Sequence, residues 1–415
     1  MKLLVLADDL TGALDTGIQF VRGNANTRVV LNANYPLTKI DSEVQVLVID
    51  TESRHLPAQQ AAVIVGNIVK QAVALKVPYI YKKTDSALRG NVGAELTAAL
   101  EASHINQLQF IPAFPKTKRT TVNGIQLIDG VPVAESVFGK DPFDPIKHSP
   151  VAEILKEQTT VDIQSIPLNA QEADTRGIVV YDASTEEDIL KRAKILKKKN
   201  KLSLLAGCAG FASVLSGLID LSGAQKNIPQ YNPSFLVACG SVNPITIAQL
   251  KEAENHGFQH FYITPEQALT KDWFKTNEGK NLLDNWAELL KKGHNCIIDT
   301  NAAPGMETAC DYGPKHNLTL DDLRIKIAQT MGYALQELLV KGVDSTMLIT
   351  GGDTLMGFME TMGVAEIVPV EELITGSVLS IITINGKKYN IISKSGGFGD
   401  KMLVADLAKL VLPKK

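Results

Sequence analysis

The stretch VLADDLTGALDTG (residues 5–17) decides the fold class, because an apolar segment leads directly into two carboxylates and a helix signal. Leu3–Ala7 is predicted to be a buried strand and Gly12–Val21 a helix. Asp8 and Asp9 then fall at the C-terminal end of the strand, the edge at which open parallel sheets bind ligands. We expect at least one carboxylate to bind a ligand. The alternative is a helix cap beside a solvated acid.

The same alternation of short apolar strands and helices continues along the chain, which is typical of parallel sheets covered on both faces. A polar stretch at residues 224–234, with two prolines, interrupts it, and the alternation then begins again. We therefore predict an α/β protein of two domains, residues 1–227 and 228–415, each a mostly parallel sheet flanked by helices. The predicted strands after the first are Val44–Ile49, Tyr79–Tyr81, Gln109–Ile111, Gly177–Tyr181, Leu202–Leu205, Phe235–Cys239, Asn295–Asp299, Met347–Ile349, Val378–Ile384 and Lys388–Ser393.

Composition and charge exclude several classes of function. The net charge is −3 and the basic residues form no stripe, which argues against a nucleic-acid partner. The four cysteines show no C-x-x-C pair, so we expect reduced thiols, no zinc site and no disulfide. The uncharged stretch at residues 202–219 contains serines and glycines that divide it into strand, turn and helix, so no membrane span is expected. We expect a cytoplasmic protein.

Polar loops follow the second and third predicted strands. Ser53–Arg54 lies just after one strand, and an arginine there suits a bidentate clamp on a carboxylate, unless it pairs with Asp50 or Glu52. The loop YKKTDSALRGNVGAEL (residues 81–96) brings lysines, an aspartate, a serine and an arginine between a strand and a helix. Loops after neighbouring strands converge at one sheet edge. They would offer cations to an anionic substrate and carboxylates to its hydroxyl groups.

Three strand–glycine–helix junctions occur in the second half, at residues 238–246, 348–357 and 392–401. Such junctions expose backbone N–H groups at the positive end of a helix, which suits phosphate. None is a Walker loop, and none has the G-x-G-x-x-G dinucleotide pattern, so a Rossmann dehydrogenase is disfavoured.

These motifs, in this order, resemble those of the four-carbon acid sugar kinase family. The resemblance runs the whole length and is carried by ADDLTGA, KKTDSALRGNVGAE, PAFPKTKRTTVNGIQLIDGVPV, DPFDP, AGCAGFA, GSVNPIT, TGGDT and SKSGGFGD. It implies an N-terminal domain for the sugar acid, a C-terminal domain for ATP and an active site in the cleft between them. The implied reaction transfers the ATP γ-phosphoryl group to the terminal hydroxyl of threonate, erythronate or an oxo-tetronate.

The resemblance also implies roles for individual residues. Asp9 is expected on the substrate side, with Asp8 supporting it or capping the helix, and Asp9 or Asp85 would accept the proton of the attacking hydroxyl. Mg²⁺ is expected with ATP, held largely by phosphates and water rather than by assigned protein ligands. The assembly state is open, with a homodimer as one expectation. The expected substrate-binding residues are Asp8, Asp9, Arg54, Lys83, Asp85, Ser86 and Arg89, and the expected ATP-binding residues are Ser241, Thr350, Gly351, Gly352, Asp353, Thr354, Gly396 and Gly397.

Two alternatives belong to other classes. A phosphatase of the haloacid dehalogenase type also begins with an apolar strand ending in Asp, but it needs a second Asp two residues later, where this chain has Leu10. A non-catalytic sugar-acid sensor would have no need of three glycine junctions. Which four-carbon acid is the substrate stays open, because the candidates differ by one stereocentre or one carbonyl.

Overall fold

A computed structural model describes residues 1–140, 145–171, 176–221, 223, 232–394 and 397–412. The chain divides into two compact units, Met1–Lys226 and Asn227–Lys415. Most of the predicted linker and the DPFD segment of the motif DPFDP lie outside the described residues. No helix in the described ranges has both the length and the apolar character needed to cross a membrane.

The N-terminal unit is built on an eight-stranded, fully parallel sheet in the order β2-β3-β1-β4-β11-β5-β10-β9. A separate antiparallel sheet joins β6, β7 and β8. The strands are β1 Leu3–Ala7, β2 Thr27–Val30, β3 Val46–Asp50, β4 Tyr79–Lys83, β5 Gln107–Ile111, β6 Arg119–Val122, β7 Ile125–Ile128, β8 Val131–Pro132, β9 Ile163–Ile166, β10 Gly177–Tyr181 and β11 Leu204–Gly207, and the helices are α1 Leu10–Arg22, α2 Ala58–Ala74, α3 Val92–Ser103, α4 Val151–Lys156, α5 Glu186–Lys198 and α6 Ala209–Leu215.

The central strands of this sheet are buried along their whole length, as parallel strands covered on both faces must be. β1 and β3 have every residue buried. The apolar faces of α2 and α3 join the same core cluster through residues such as Val65, Val69 and Leu96. The core therefore fixes the strands, and the polar residues that follow them are held at the carboxyl edge of the sheet.

The C-terminal unit has a seven-stranded sheet in the order β13-β14-β12-β15-β18-β17-β16. Its first five strands are parallel, and β18, β17 and β16 are joined by antiparallel pairing. The strands are β12 Ser234–Cys239, β13 Gln259–Tyr262, β14 Cys296–Asp299, β15 Ser345–Thr350, β16 Glu366–Ile374, β17 Ser377–Ile384 and β18 Lys387–Lys394, and the helices are α7 Pro244–Asn255, α8 Pro265–Leu269, α9 Asn277–Lys291, α10 Ala309–Lys315, α11 Leu320–Val340, α12 Gly352–Met362 and α13 Leu403–Val411.

The turn between β17 and β18 is formed by Asn385 and Gly386. Both residues have positive φ, 48° and 80°, as a type I′ turn requires. The predicted α/β architecture of two units with mostly parallel sheets is confirmed, with the C-terminal sheet mixed rather than wholly parallel.

Candidate active site

In the N-terminal unit, the predicted polar residues meet at the carboxyl edge of the sheet. β1 lies between β3 and β4, so the connections that leave β1 and β4 run in opposite directions along the sheet. A crevice outside the strand ends forms at such a switch point and is where open α/β sheets bind ligands. Asp8 and Asp9 follow β1, Arg54 follows β3, and Asp85 follows β4.

Arg54 binds both aspartates. Its Nε lies 2.7 Å from Asp8 Oδ2, and its two terminal nitrogens lie 3.0 Å from Asp9 Oδ2 and 2.8 Å from Asp9 Oδ1. Arg54 therefore pairs with neither Asp50 nor Glu52, the two acids that the sequence offered as alternative partners. The bidentate face of the guanidinium is already occupied by Asp9, so a clamp on a substrate carboxylate would first have to break this pair.

Asp8 is the most deeply buried acid of this cluster, and its side chain is 3% exposed. Burial alone would raise its pKa, but the charges of Arg54, Lys82 and Lys83 outweigh burial and lower the pKa to about 2. Its second oxygen, Oδ1, is buried and has no hydrogen-bond partner among the described residues. Asp8 is thus an ionised carboxylate with one unused acceptor atom.

Asp9, and not Asp8, caps helix α1. Its backbone is extended (φ −148°, ψ 156°), and its Oδ1 accepts a hydrogen bond of 3.1 Å from the N–H of Gly12. Of the two roles expected for Asp8, supporting Asp9 or capping the helix, the capping role is therefore wrong. The physical reason is that the helix begins at Leu10, so the residue directly before it takes the cap position.

Lys83 places an ammonium group at the start of the same helix. A Cβ atom added to Gly12 would lie 2.7 Å from Lys83 Nζ and 2.5 Å from Asp9 Oδ1. Glycine at this position therefore lets the lysine and the carboxylate approach the helix end together. Lys83 is 5% exposed, and no described residue forms a hydrogen bond or ion pair with its ammonium group. A buried cation in this condition is suited to an anionic group of a ligand.

Asp85 is held in place by its own loop. It accepts hydrogen bonds from the N–H of Ala87 and from Arg89, whose Nε and Nη2 lie 3.0 and 3.2 Å from its two oxygens. Burial would raise the pKa of Asp85, but Arg89 and Arg54 hold it well below its usual range. Asp85 is therefore ionised and already paired with Arg89.

Arg119 belongs to this cluster but was not assigned from the sequence. Its guanidinium hydrogen-bonds the hydroxyl of Ser86 and lies 5.2 Å from the centre of the Phe138 ring. The backbone carbonyl of Ser86 accepts from Gln126 at 2.9 Å, which ties the loop to the small antiparallel sheet. The sequence signal is the polar segment PKTKRTTVNG (residues 115–124), which contains Arg119. Nothing in that segment indicates which of its basic side chains lies in the buried cluster.

A buried ion pair beneath the cluster was also missed. Lys82 Nζ lies 2.9 Å from Glu95 Oε2, and the side chains are 0% and 2% exposed. Ser53 donates to the other oxygen of Glu95, and Lys82 donates to the carbonyl of Lys83 at 2.7 Å. This network connects the loop that carries Arg54 to the end of β4.

In the C-terminal unit, the loops after β12 and β15 are in direct contact. A Cβ added to Gly240 would lie 1.9 Å from Thr354 Oγ1, and one added to Gly351 would lie 3.2 Å from the N of Ser241. Here too the sheet has a switch point, because β12 lies between β14 and β15. The two glycines are needed for this close approach, which brings Ser241 and the start of α12 together.

The start of α12 has the features of a phosphate cradle. Gly351 takes the N-cap position with φ 104°, and no side chain caps the helix. The hydroxyl of the preceding Thr350 is buried and has no hydrogen-bond partner among the described residues. Uncapped N–H groups and an unused hydroxyl at a helix N-terminus fit the phosphate groups of ATP. Asp353 is turned toward Arg324, 2.7 Å away.

The third junction follows β18. A Cβ added to Gly397 would lie 3.9 Å from Asn243 Nδ2, which places Gly397 beside the loop after β12. Gln249 on α7 donates to the carbonyls of Phe398 and Asp400 at 2.9 and 2.8 Å, so this junction is fixed to α7. Gly396 lies outside the described residues.

Acidic residues in the described ranges do not form a dedicated metal centre. No group of three or more His, Cys, Asp or Glu side chains there could hold a metal ion. Mg²⁺ commonly keeps several waters and is bound through one or two carboxylates together with substrate phosphates.

Comparison with known proteins identifies the two units. A family described as the sugar-binding N-terminal domain matches residues 3–215, and one described as the nucleotide-binding C-terminal domain matches residues 236–404. D-threonate kinase of Salmonella typhimurium is 29% identical over 98% of this chain and 97% of its own length. 3-oxo-tetronate kinase of Brucella melitensis is 30% identical over 99% of this chain and 96% of its own length.

A solved structure has the same fold. A Haemophilus influenzae protein of the family DUF1537 superposes with a TM-score of 0.70, covering 99% of this chain and all of its own, at 19% identity. This likeness shows the fold alone. On the strength of its two domain matches and its full-length relatives, the chain belongs to the four-carbon acid sugar kinase family.

Proposed function

We propose that this protein transfers the γ-phosphoryl group of ATP to the terminal hydroxyl of a four-carbon sugar acid: threonate, erythronate or an oxo-tetronate. The observation that carries the proposal is the pairing of two kinds of site in one chain. The N-terminal unit holds carboxylates and the buried ammonium group of Lys83, which has no partner among the described residues, and the C-terminal unit holds an uncapped helix start framed by glycines. A sugar acid needs the first, and a nucleotide phosphate needs the second.

In the acid site, Lys83 binds the substrate carboxylate, because no carboxylate among the described residues forms an ion pair with its ammonium group. Asp9 accepts hydrogen bonds from the substrate hydroxyls, and Arg54 keeps Asp9 and Asp8 in place. Asp9 also takes the proton of the attacking hydroxyl. Little basicity is required, since phosphoryl transfer passes through a loose transition state in which positioning and charge stabilisation dominate.

The remaining acid-site residues act around this centre. Asp85 and Arg89 form a closed pair that shapes the pocket wall, and Ser86 contributes through its contact with Arg119. Asp8 offers its unused oxygen to a second hydroxyl of the substrate.

In the nucleotide site, bound ATP supplies the γ-phosphoryl group, and ADP is the leaving group. The N–H groups at Gly351 and Gly352 and the hydroxyls of Thr350 and Ser241 hold the phosphates, with Thr354 bracing the loop after β12. Asp353, paired with Arg324, lies in the first turn of α12 and would be available to a magnesium ion on the phosphates. Gly397 and Gly396 form the third side, the latter as a prediction from sequence only.

Several expectations stay predictions: a cleft shared by both substrates, a cytoplasmic location and a homodimer. Neither alternative class gains support. Asp8 is bound by Arg54, which leaves it unsuited to act as the nucleophile of a haloacid-dehalogenase-type phosphatase. A sensor without catalysis would gain nothing from an uncapped helix start that suits a phosphate.

The test is an ATP-coupled screen of the purified protein over D- and L-threonate, D- and L-erythronate and the 2- and 3-oxo-tetronates, with five- and six-carbon acids as controls. We expect turnover with one four-carbon acid and, by ³¹P and ¹³C NMR, a phosphate on its terminal carbon. Turnover restricted to longer acids, or phosphate release from sugar phosphates without ATP, would overturn the proposal.

A further inference from the structure

Lys394, the last residue of β18, is a buried lysine to which the proposed chemistry gives no role. It is paired in register with Thr350 of β15, which in turn is paired with Cys239 of β12. The lysine therefore stands in the same row of strand ends as the two glycine junctions that contact each other. It is 2% exposed. A lysine is rarely buried to this extent without a specific reason.

Its ammonium group points toward the start of helix α7. Lys394 Nζ lies 3.0 Å from Thr246 Oγ1, and Thr246 is fully buried in the first turn of α7. Thr246 Oγ1 lies 3.5 Å from the hydroxyl of Ser241, which is 9% exposed. A short chain of polar groups thus leads from the loop after β12 to the buried ammonium group.

The electrostatics of this position favour an anion nearby. The N-terminus of a helix carries a partial positive charge, so a cation placed beside it is repelled rather than stabilised. Burial adds a second penalty and lowers the pKa of Lys394 to about 8. The group facing it from β12 is the thiol of Cys239, whose pKa is raised by burial and by the next acid along the row, Asp299. That thiol is neutral.

A second observation points to the same ligand. The hydroxyl of Thr350, in the residue paired with Lys394, is buried and has no hydrogen-bond partner in the part of the chain that the structure describes. The positive end of helix α7, the ammonium group of Lys394 and the unused hydroxyl of Thr350 therefore lie at one set of strand ends. An anionic phosphate at this position would be attracted by the two positive groups and would accept a hydrogen bond from the hydroxyl.

We propose that Lys394 is a positioning residue of the nucleotide site, which acts through Thr246 and Ser241 to supply positive charge to the phosphate groups of ATP. This inference rests on the proposed function. Because a bound phosphate stabilises the charged form of the lysine, nucleotide binding takes up protons near pH 8 and weakens as the pH rises above that value.

The test is direct titration of Mg·ATP, without acceptor, by calorimetry at pH 7, 8 and 9 in two buffers of different ionisation enthalpy. Lys394→Met removes the charge, Lys394→Arg keeps it at every pH, and Lys388→Met, at an exposed position of the same strand, is the matched control. In the wild type, affinity for ATP should fall between pH 7 and pH 9. Lys394→Met should bind ATP on the order of tenfold more weakly at pH 7, with the pH dependence lost.

Lys394→Arg should restore binding with a flat pH profile, and thermal unfolding of each variant shows whether it is folded. An affinity loss in Lys394→Met of the same size at pH 7 and pH 9 would indicate a packing role and overturn the inference, as would wild-type binding in that variant. If the wild type binds ATP but phosphorylates no four-carbon acid, the proposed function fails and this inference stands. If the wild type binds no nucleotide, both fail.

Discussion

The buried ion pair between Lys82 and Glu95 offers a sharp test of how the acid site is held. Its nitrogen and oxygen lie 2.9 Å apart, and both side chains are shielded from water. Removing one partner of such a pair leaves the other charge uncompensated and costs about 3–5 kcal/mol, whereas replacing both by apolar residues is often neutral. Gln at position 95 keeps the shape, so we expect Glu95→Gln to lower the free energy of unfolding by about 3 kcal/mol.

Calorimetric unfolding should show this loss as a fall of roughly 6–12 °C in the transition of the N-terminal unit, at about 2–4 °C per kcal/mol. Glu101→Gln, at an exposed position of the same helix α3, is the matched control and should change little. The double variant Lys82→Met/Glu95→Leu should recover most of the stability. KM for the acid should be raised in the double variant, because leucine cannot accept the hydrogen bond that Ser53 donates to Glu95. A Glu95→Gln protein as stable as the control would refute the reasoning.

Three further predictions concern single residues. Folding lowers the pKa of Asp8 from 3.8 to about 2, so the ionised carboxylate contributes about 2 kcal/mol of stability, which is present above pH 4 and lost as the pH falls through 2. In Asp8→Asn, the free energy of unfolding should lack this part of its dependence on pH. An unchanged pH dependence in that variant would contradict the prediction. Lys83→Met should raise KM for the acid about tenfold or more with little change in KM for ATP, whereas Lys76→Met, an exposed control, should change neither. Thr350→Val removes a buried hydroxyl without a partner, so thermal stability should hold or rise while KM for ATP rises several-fold; a stability loss without a KM effect would count against its role.

Most of the fold was accessible from the sequence, because parallel strands buried on both faces appear as continuous apolar runs. The strands Leu3–Ala7 and Gly177–Tyr181 were predicted to the residue. The strands β2, β9, β13 and β16 and the helices α4, α8, α9 and α10 were not predicted. β16 carries a proline and three acidic residues and pairs with β17 through register shifts around Pro369, which removes the period-2 pattern.

The site was accessible at the level of loops but not of contacts. The predicted loops that carry Asp8, Arg54 and Asp85 do converge, since parallel topology places strand ends together. Which charges neutralise one another depends on side-chain geometry in three dimensions, so the pairing of Arg54 with both aspartates had no sequence signal. The inward position of Arg119 was hidden for the same reason.

The central claim is that the acid binds to the N-terminal unit and the nucleotide to the C-terminal unit. Direct titration of ATP into Asp9→Asn and Gly352→Val tests it, together with turnover. Asn is itself a good helix N-cap, and Gly352 is the exposed first residue of α12, so both variants should fold. The account predicts that Asp9→Asn loses turnover but binds ATP as the wild type does, while Gly352→Val loses ATP binding. Loss of ATP binding in Asp9→Asn with normal binding in Gly352→Val would contradict it.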